Sequence, residues 1–134
     1  VKQVDAEVLV SLICRGAVPV MAPLTHDGEG HILNTNADTI AGETAKALAD
    51  AFDVTLVYCF EKKGVLKDEN DDNSVIPVIT PDLFRQYVAE GVIQGGMIPK
   101  LENASAVEAG VRQVIITQAS AIDGLSGTVI RIEK

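Results

Sequence analysis

Hydrophobic positions along this chain alternate between helical spacing and short continuous apolar runs. From Asp5 to Arg15, Leu9, Leu12 and Ile13 recur at helical spacing, with Asp5 placed to cap the start and Gly16 to end the helix. Val18 to Leu24 is a short apolar run, of strand type, broken by Pro19 and Pro23. Thr25-His26-Asp27-Gly28-Glu29-Gly30 then has turn chemistry and leads into His31-Ile32-Leu33, which predicts a β-hairpin near residues 20–35. Ala37 to Ala51 is rich in alanine and carries Ile40, Thr44 and Leu48 on one face, the mark of a second helix. Val54 to Cys59 is a continuous β-favouring run, as expected of a strand covered on both faces.

Beyond it the sequence turns charged and polar from Phe60 to Ser74. Thr80-Pro81-Asp82 opens a third helix that Gly91 closes, and Ile98 to Ala109 forms a fourth, ended at Gly110. Val114–Thr117 and Thr128–Ile132 read as strands joined through a Gly124-Leu125-Ser126-Gly127 turn. Helices alternating with buried strands imply a layered α/β domain with a mainly parallel sheet. No internal repeat and no low-complexity tract interrupts it.

Composition narrows the picture. A chain of 134 residues has room for one domain with a real core. A formal charge of -8 and a sequence pI near 4.6 argue against nucleic acid or an anionic membrane as partner. An anionic ligand must therefore be met by local positive groups. Lys62, Lys63 and Lys67 around Gly64 form the dense basic group, and Lys100 stands alone beside its glycines. Cys14 and Cys59 lie in apolar runs without metal-ligand spacing, so they are expected as two small buried hydrophobes in a reducing compartment, a disulfide being the alternative. No apolar stretch approaches the roughly 20 residues that span a bilayer and no secretory signal is present, so a cytoplasmic protein is expected. The chain starts at Val1 and enters a helical pattern almost at once, which suggests a piece of a longer protein.

Candidate chemistry gathers in two segments. Gly95-Gly96-Met97-Ile98-Pro99-Lys100 sets two permissive glycines and a cation at a helix opening, where unpaired N–H groups and a partial positive charge suit phosphate. Taken alone it is equally a plain loop-to-helix connection with a solvated lysine. Asn34-Thr35-Asn36-Ala37-Asp38 supplies two carboxamides and a carboxylate beside another helix start, although Asn and Asp are also routine caps. Together the two could hold a phosphorylated ligand against a polar substrate. Other patterns fall away. Asp68-Glu69-Asn70-Asp71-Asp72-Asn73 begins like a calcium loop, but Asn73 stands where glycine is needed and Ile79 where a bidentate carboxylate belongs. His26 and His31 flank a glycine turn with no third ligand evident, so no metal site is expected there. Asn103-Ala104-Ser105 is a chance glycosylation pattern on a helix, and Gly28-Glu29-Gly30 does not continue into a dinucleotide fingerprint.

In order along the chain, Gly16-Ala17-Val18-Pro19-Val20-Met21-Ala22-Pro23, Asn34-Thr35-Asn36-Ala37-Asp38-Thr39, Gly91 to Lys100 and Glu108-Ala109-Gly110-Val111 resemble the carboxy-terminal half of the amino acid kinase family. The resemblance covers nearly the whole chain. It implies a three-layer α/β/α sandwich in which residues 1–134 are one nucleotide-binding domain and the amino-terminal substrate half is absent. It implies further that the complete enzyme moves the γ-phosphoryl group of ATP, bound with Mg2+, to the side-chain carboxylate of N-acetylglutamate or another N-acylglutamate in arginine biosynthesis. The isolated fragment would then be nearly inactive, and the full-length enzyme a homo-oligomer.

Carried over from the same pattern, Lys100 stabilises the migrating phosphoryl group and Asp38 organises the catalytic lysines by ion pairing. Asn34 hydrogen-bonds the amino-acid part of the substrate, Asn36 supports that loop, and Gly95 and Gly96 support the phosphates. The nucleotide site would comprise Glu61, Lys62, Lys63, Gly64, Val65 and Leu66 with Val92, Ile93 and Gln94. Glu61 stands in for the family's aspartate, whereas Phe60 and the two lysines depart from its pattern. That departure motivates an alternative, a nucleotide-sensing module without turnover. A sibling kinase acting on aspartate, carbamate or a nucleoside monophosphate is the third reading, against which the asparagine pair argues.

Overall fold

A computed structural model describes residues 1–108, 110–123 and 126–131. Helix α1 (Ala6–Cys14) begins where the Asp5 carboxylate accepts the Val8 N–H at 3.1 Å. Strands β1 (Leu24–His26) and β2 (Ile32–Asn34) pair antiparallel as the expected hairpin, tied further by the hydroxyls of Thr25 and Thr35 at 2.8 Å. Helix α2 (Ala37–Leu48) starts at the Asn36 cap and stops short of Ala51. Strand β3 (Thr55–Phe60), the short β4 (Val78–Ile79), α3 (Pro81–Ala89), α4 (Met97–Glu108), β5 (Gln113–Gln118) and β6 (Thr128–Ile130) complete the order. Thr80 caps α3 with Pro81 in its first turn, as its sequence predicts. Ala109, Gly124, Leu125 and Ile132, at the ends of predicted elements, lie outside the described residues.

The four-stranded sheet runs in the order β3-β5-β6-β4, with β3/β5 and β4/β6 parallel and β5/β6 antiparallel. The fold is thus of the expected α/β class, with a mostly parallel sheet. Strand alternation and register put Tyr58, Val114, Ile116, Ile130 and Ile79 on one face, where Ala45 of α2 and Leu101, Ala104 and Val107 of α4 bury them. Phe84, Tyr87 and Val88 of α3 pack against the same cluster. Helices α2 and α4 approach closely because position 42 is glycine: a Cβ there would stand 2.6 Å from the Val107 side chain.

Several expectations fail for physical reasons. Strand β3 lies at the sheet's edge with Thr55 and Cys59 exposed, so it is not covered on both faces. Cys59 points away from the Tyr58 face, and Cys14 ends a helix that buries none of its residues; both thiols are exposed and free rather than buried. Val18 to Leu24 forms no strand before Leu24, since among the described residues no neighbour offers Val18 or Val20 a backbone to pair with. The two valines are 85% and 95% exposed. No described helix is long and apolar enough to cross a membrane.

Candidate functional site

The start of α2, the end of β3 and the first turn of α4 meet on the helix-covered face of the sheet. Tyr58 and Phe60 are two apart in β3, so their rings project to the same side. They stack nearly parallel, 6.4 Å between centroids and 6° between planes. The Tyr58 hydroxyl donates to the backbone carbonyl of Asp38 at 3.1 Å. Burial, and then the nearby Asp38 carboxylate, push this phenol up to about 12. The Lys100 ammonium lies 4.1 Å from the centroid of the Phe60 ring. Lys100 and Asp38 thus share one face of the sheet, linked through two aromatic rings. They form no ion pair with each other in this structure.

One turn before Lys100, Gly95 and Gly96 are exposed, and a Cβ at either would meet nothing within 4 Å. Among the described residues their N–H groups enter no hydrogen bond, while the carbonyls of Gln94 and Gly95 accept from Met97 and Ile98. Open space and free donors at a helix start, with a lysine one turn later, are features that suit an anion.

Other predicted site residues have different surroundings. The Asn36 carboxamide accepts the Thr39 N–H at 3.1 Å and is the cap of α2, while Asn34 ends the hairpin exposed. In the loop after β3, Glu61, Lys62 and Lys63 are exposed, and Lys62 pairs with Asp72 at 3.0 Å, its hydrogen bond holding that carboxyl below the usual range. Gly64, Val65 and Leu66 are buried. The Val65 N–H donates to the Thr128 hydroxyl at 2.8 Å, which donates in turn to the Ile76 carbonyl at 2.7 Å. Gly64 is required there, since a Cβ would stand 2.8 Å from that hydroxyl. Ile93 belongs to the core, Val92 packs against it, and the exposed Gln94 donates back to the Gly91 carbonyl.

The hairpin tip brings Asp27, Glu29 and His31 within 4.8 Å of one another, all exposed. Asp27 accepts the N–H groups of Glu29 and His31 and touches the His31 ring at 2.5 Å, contacts that close a tight turn. Hydrogen bonding by the Glu29 N–H, and then by His31, keeps the Asp27 carboxyl below its ordinary value.

Sequence reasoning missed Tyr58, treated Phe60 only as a departure, and overlooked Thr128. One signal was available: of the chain's two tyrosines and three phenylalanines, one of each sits at alternate positions of a single strand.

A mostly parallel sheet covered by helices defines an α/β domain, and the profile of the amino acid kinase family matches residues 1–118. The chain belongs to that family. An acetylglutamate kinase of Phocaeicola vulgatus is 74% identical over 132 residues, covering 98% of this chain and 51% of that relative. A solved structure from Streptococcus mutans UA159 superposes with a TM-score of 0.76 at 34% identity, over 96% of this chain and 49% of that one. Carbamate kinase from Giardia lamblia bound to AMP-PNP shares the fold, with a TM-score of 0.67 at 18% identity over 99% of this chain and 51% of its own. The chain spans about half the length of the curated relatives it matches.

Proposed function

We propose that this chain is the carboxy-terminal, ATP-binding half of an acetylglutamate kinase, which phosphorylates the side-chain carboxylate of an N-acylglutamate in arginine biosynthesis. The observation that carries this reading is Lys100, one helical turn after the open Gly95-Gly96 helix start, with its ammonium on the same sheet face as Asp38. MgATP supplies the phosphoryl group and the metal that neutralises its charge. Phosphoryl transfer needs mainly positioning and electrostatic stabilisation from the protein. Gly95 and Gly96 hold phosphate oxygens on their N–H groups. Lys100 places a positive charge where negative charge shifts as the phosphoryl group moves. Asp38, which pairs with no cation among the described residues, orients the catalytic lysine of the amino-terminal half, and Asn34 meets the amino-acid part of the acceptor. Asn36 supports this loop by fixing the start of α2. Glu61, Lys62 and Lys63, with Gln94, line the nucleotide side. Gly64 to Leu66, Val92 and Ile93 hold that wall in place from within the core.

The amino-terminal half of the complete enzyme supplies the rest of the acceptor pocket, and that enzyme is a homo-oligomer. The deciding experiment joins this chain to the amino-terminal half of the Phocaeicola vulgatus relative and measures ADP release and acyl phosphate formation from N-acetylglutamate. Turnover by the joined protein, with weak MgATP binding and no turnover by this chain alone, is the expected result. ATP binding without turnover in the joined protein would favour a nucleotide sensor instead.

A further inference from the structure

Four cations of this acidic chain meet a carboxylate: Lys46 meets Glu43, Lys62 meets Asp72, Arg85 meets Asp82 and Arg112 meets Asp53. Half-buried Lys100 meets a ring instead, with its nitrogen 4.1 Å from the Phe60 centroid. The difference is chemical. A carboxylate would cancel the ammonium charge and occupy its N–H donors, and phosphate would have to displace it. An aromatic face holds the cation by its quadrupole and leaves charge and donors free for an incoming anion.

The ring is itself well anchored. Phe60 ends β3, paired in register with Gln118. It stacks with Tyr58, whose hydroxyl is tied to the Asp38 carbonyl. Four residues further on, the backbone at Gly64 and Val65 is locked to Thr128. Lys100 comes from another element, one turn beyond Gly95 and Gly96, so the ring fixes where a long flexible side chain ends relative to those N–H groups. We infer that Phe60 is a positioning residue, holding the Lys100 ammonium toward the phosphate chain bound at the Gly95-Gly96 helix start. The inference rests on the kinase reading for its role in catalysis, and the phosphate arm of the test is independent of turnover.

Two variants separate the ring's face from its bulk. Phe60→Leu keeps an apolar side chain and removes the π face, and Phe60→Tyr keeps the face. In this chain, the ε-CH2 protons of Lys100 should resonate upfield of those of the other lysines and move when inorganic tripolyphosphate is added. Phe60→Leu should abolish the upfield shift and weaken tripolyphosphate about fivefold, and Phe60→Tyr should retain both. In the protein joined to the relative's amino-terminal half, Phe60→Leu should lower kcat about tenfold with little change in the KM of the acylglutamate, and Phe60→Tyr should restore it. The inference is overturned by a wild-type Lys100 signal without ring shift or phosphate response. It is equally overturned if Phe60→Leu binds tripolyphosphate as tightly as wild type, or if Phe60→Tyr loses as much as Phe60→Leu. If the phosphate results hold while the joined wild-type protein turns nothing over, the positioning role stands and the kinase reading fails.

Discussion

Tyr58 joins stability to the site through one oxygen. Its phenol is raised from 10.0 to about 12, first by burial and then by the Asp38 carboxylate. The folded state therefore holds this proton more tightly than the unfolded chain does. The resulting stability is fully present below pH 10, where both states are protonated, and is lost as pH rises through about 12. Denaturant titrations across that window should show falling stability in the wild type and a shallower decline in Tyr58→Phe. An identical slope in the two proteins would remove Tyr58 as the cause. Lys100 makes a different prediction, because its contact should matter most when negative charge moves. In the joined enzyme Lys100→Ala should lower kcat by about 10²- to 10³-fold while the KM for acylglutamate stays near its wild-type value. Steady-state kinetics with an unchanged kcat would take Lys100 out of the mechanism.

Elements are held together at this site by close approaches that the pattern of apolar residues only half reveals. Helices α1 to α3 were legible because their caps and periodicity are local: Asp5, Asn36 and Thr80 each accept an N–H from the first turn of the helix that follows. The hairpin was legible from its glycines and Asp27. By contrast, β4 is two residues long and exists through its pairing with β6, a non-local fact. Cys59 and Val20 were misjudged because an apolar run says nothing of whether a neighbouring strand exists to cover it. In the site, Lys100 and the glycines could be read from a helix start, but the Tyr58–Phe60 stack that meets Lys100 depends on which way an edge strand faces. Thr128 was invisible because its role is to join residues 63 positions apart. Thr128→Val keeps the shape and leaves the Val65 N–H and the Ile76 carbonyl unpaired in the core. It should cost about 2–3 kcal/mol by denaturant unfolding. The α2–α4 approach gives a paired test. Gly42→Ala should cost about 1–3 kcal/mol against the Val107 side chain, and Val107→Ala should recover much of that loss in the double variant. Additive losses would mean that the two helices do not meet there.

The molecule as a whole distributes its apolar surface unevenly. Ile115, Ile116, Ile130 and Leu101 are almost wholly buried, whereas Val8, Leu12, Val18, Val20, Leu24 and Ile32 are exposed, all of them before α2. Beside them an open apolar groove of about 350 Å³, lined by Pro19, Met21, Pro23, Ile40 and Leu56 among others, runs between the segment before β1 and α2. Lys100, Gly95 and Gly96 are not part of it. Burial of such side chains stabilises by about 1.5–3 kcal/mol each, and an extended apolar segment with unpaired backbone gains most by pairing with another strand. In a chain that spans half the length of its relatives, the proposed amino-terminal half is the partner that would supply that strand. Val20→Asp then discriminates. In this chain alone Val20 is already in water, so the substitution should leave Tm within about a degree of wild type. In the joined protein it would bury an unpaired carboxylate, and Tm should fall by about 5–10 °C. Amide hydrogen exchange supplies the matching observation: the N–H groups of Val18 and Val20 should exchange freely in this chain and become protected in the joined protein. Equal Tm losses in both backgrounds, or free exchange in both, would mean that this segment is no seam between two halves.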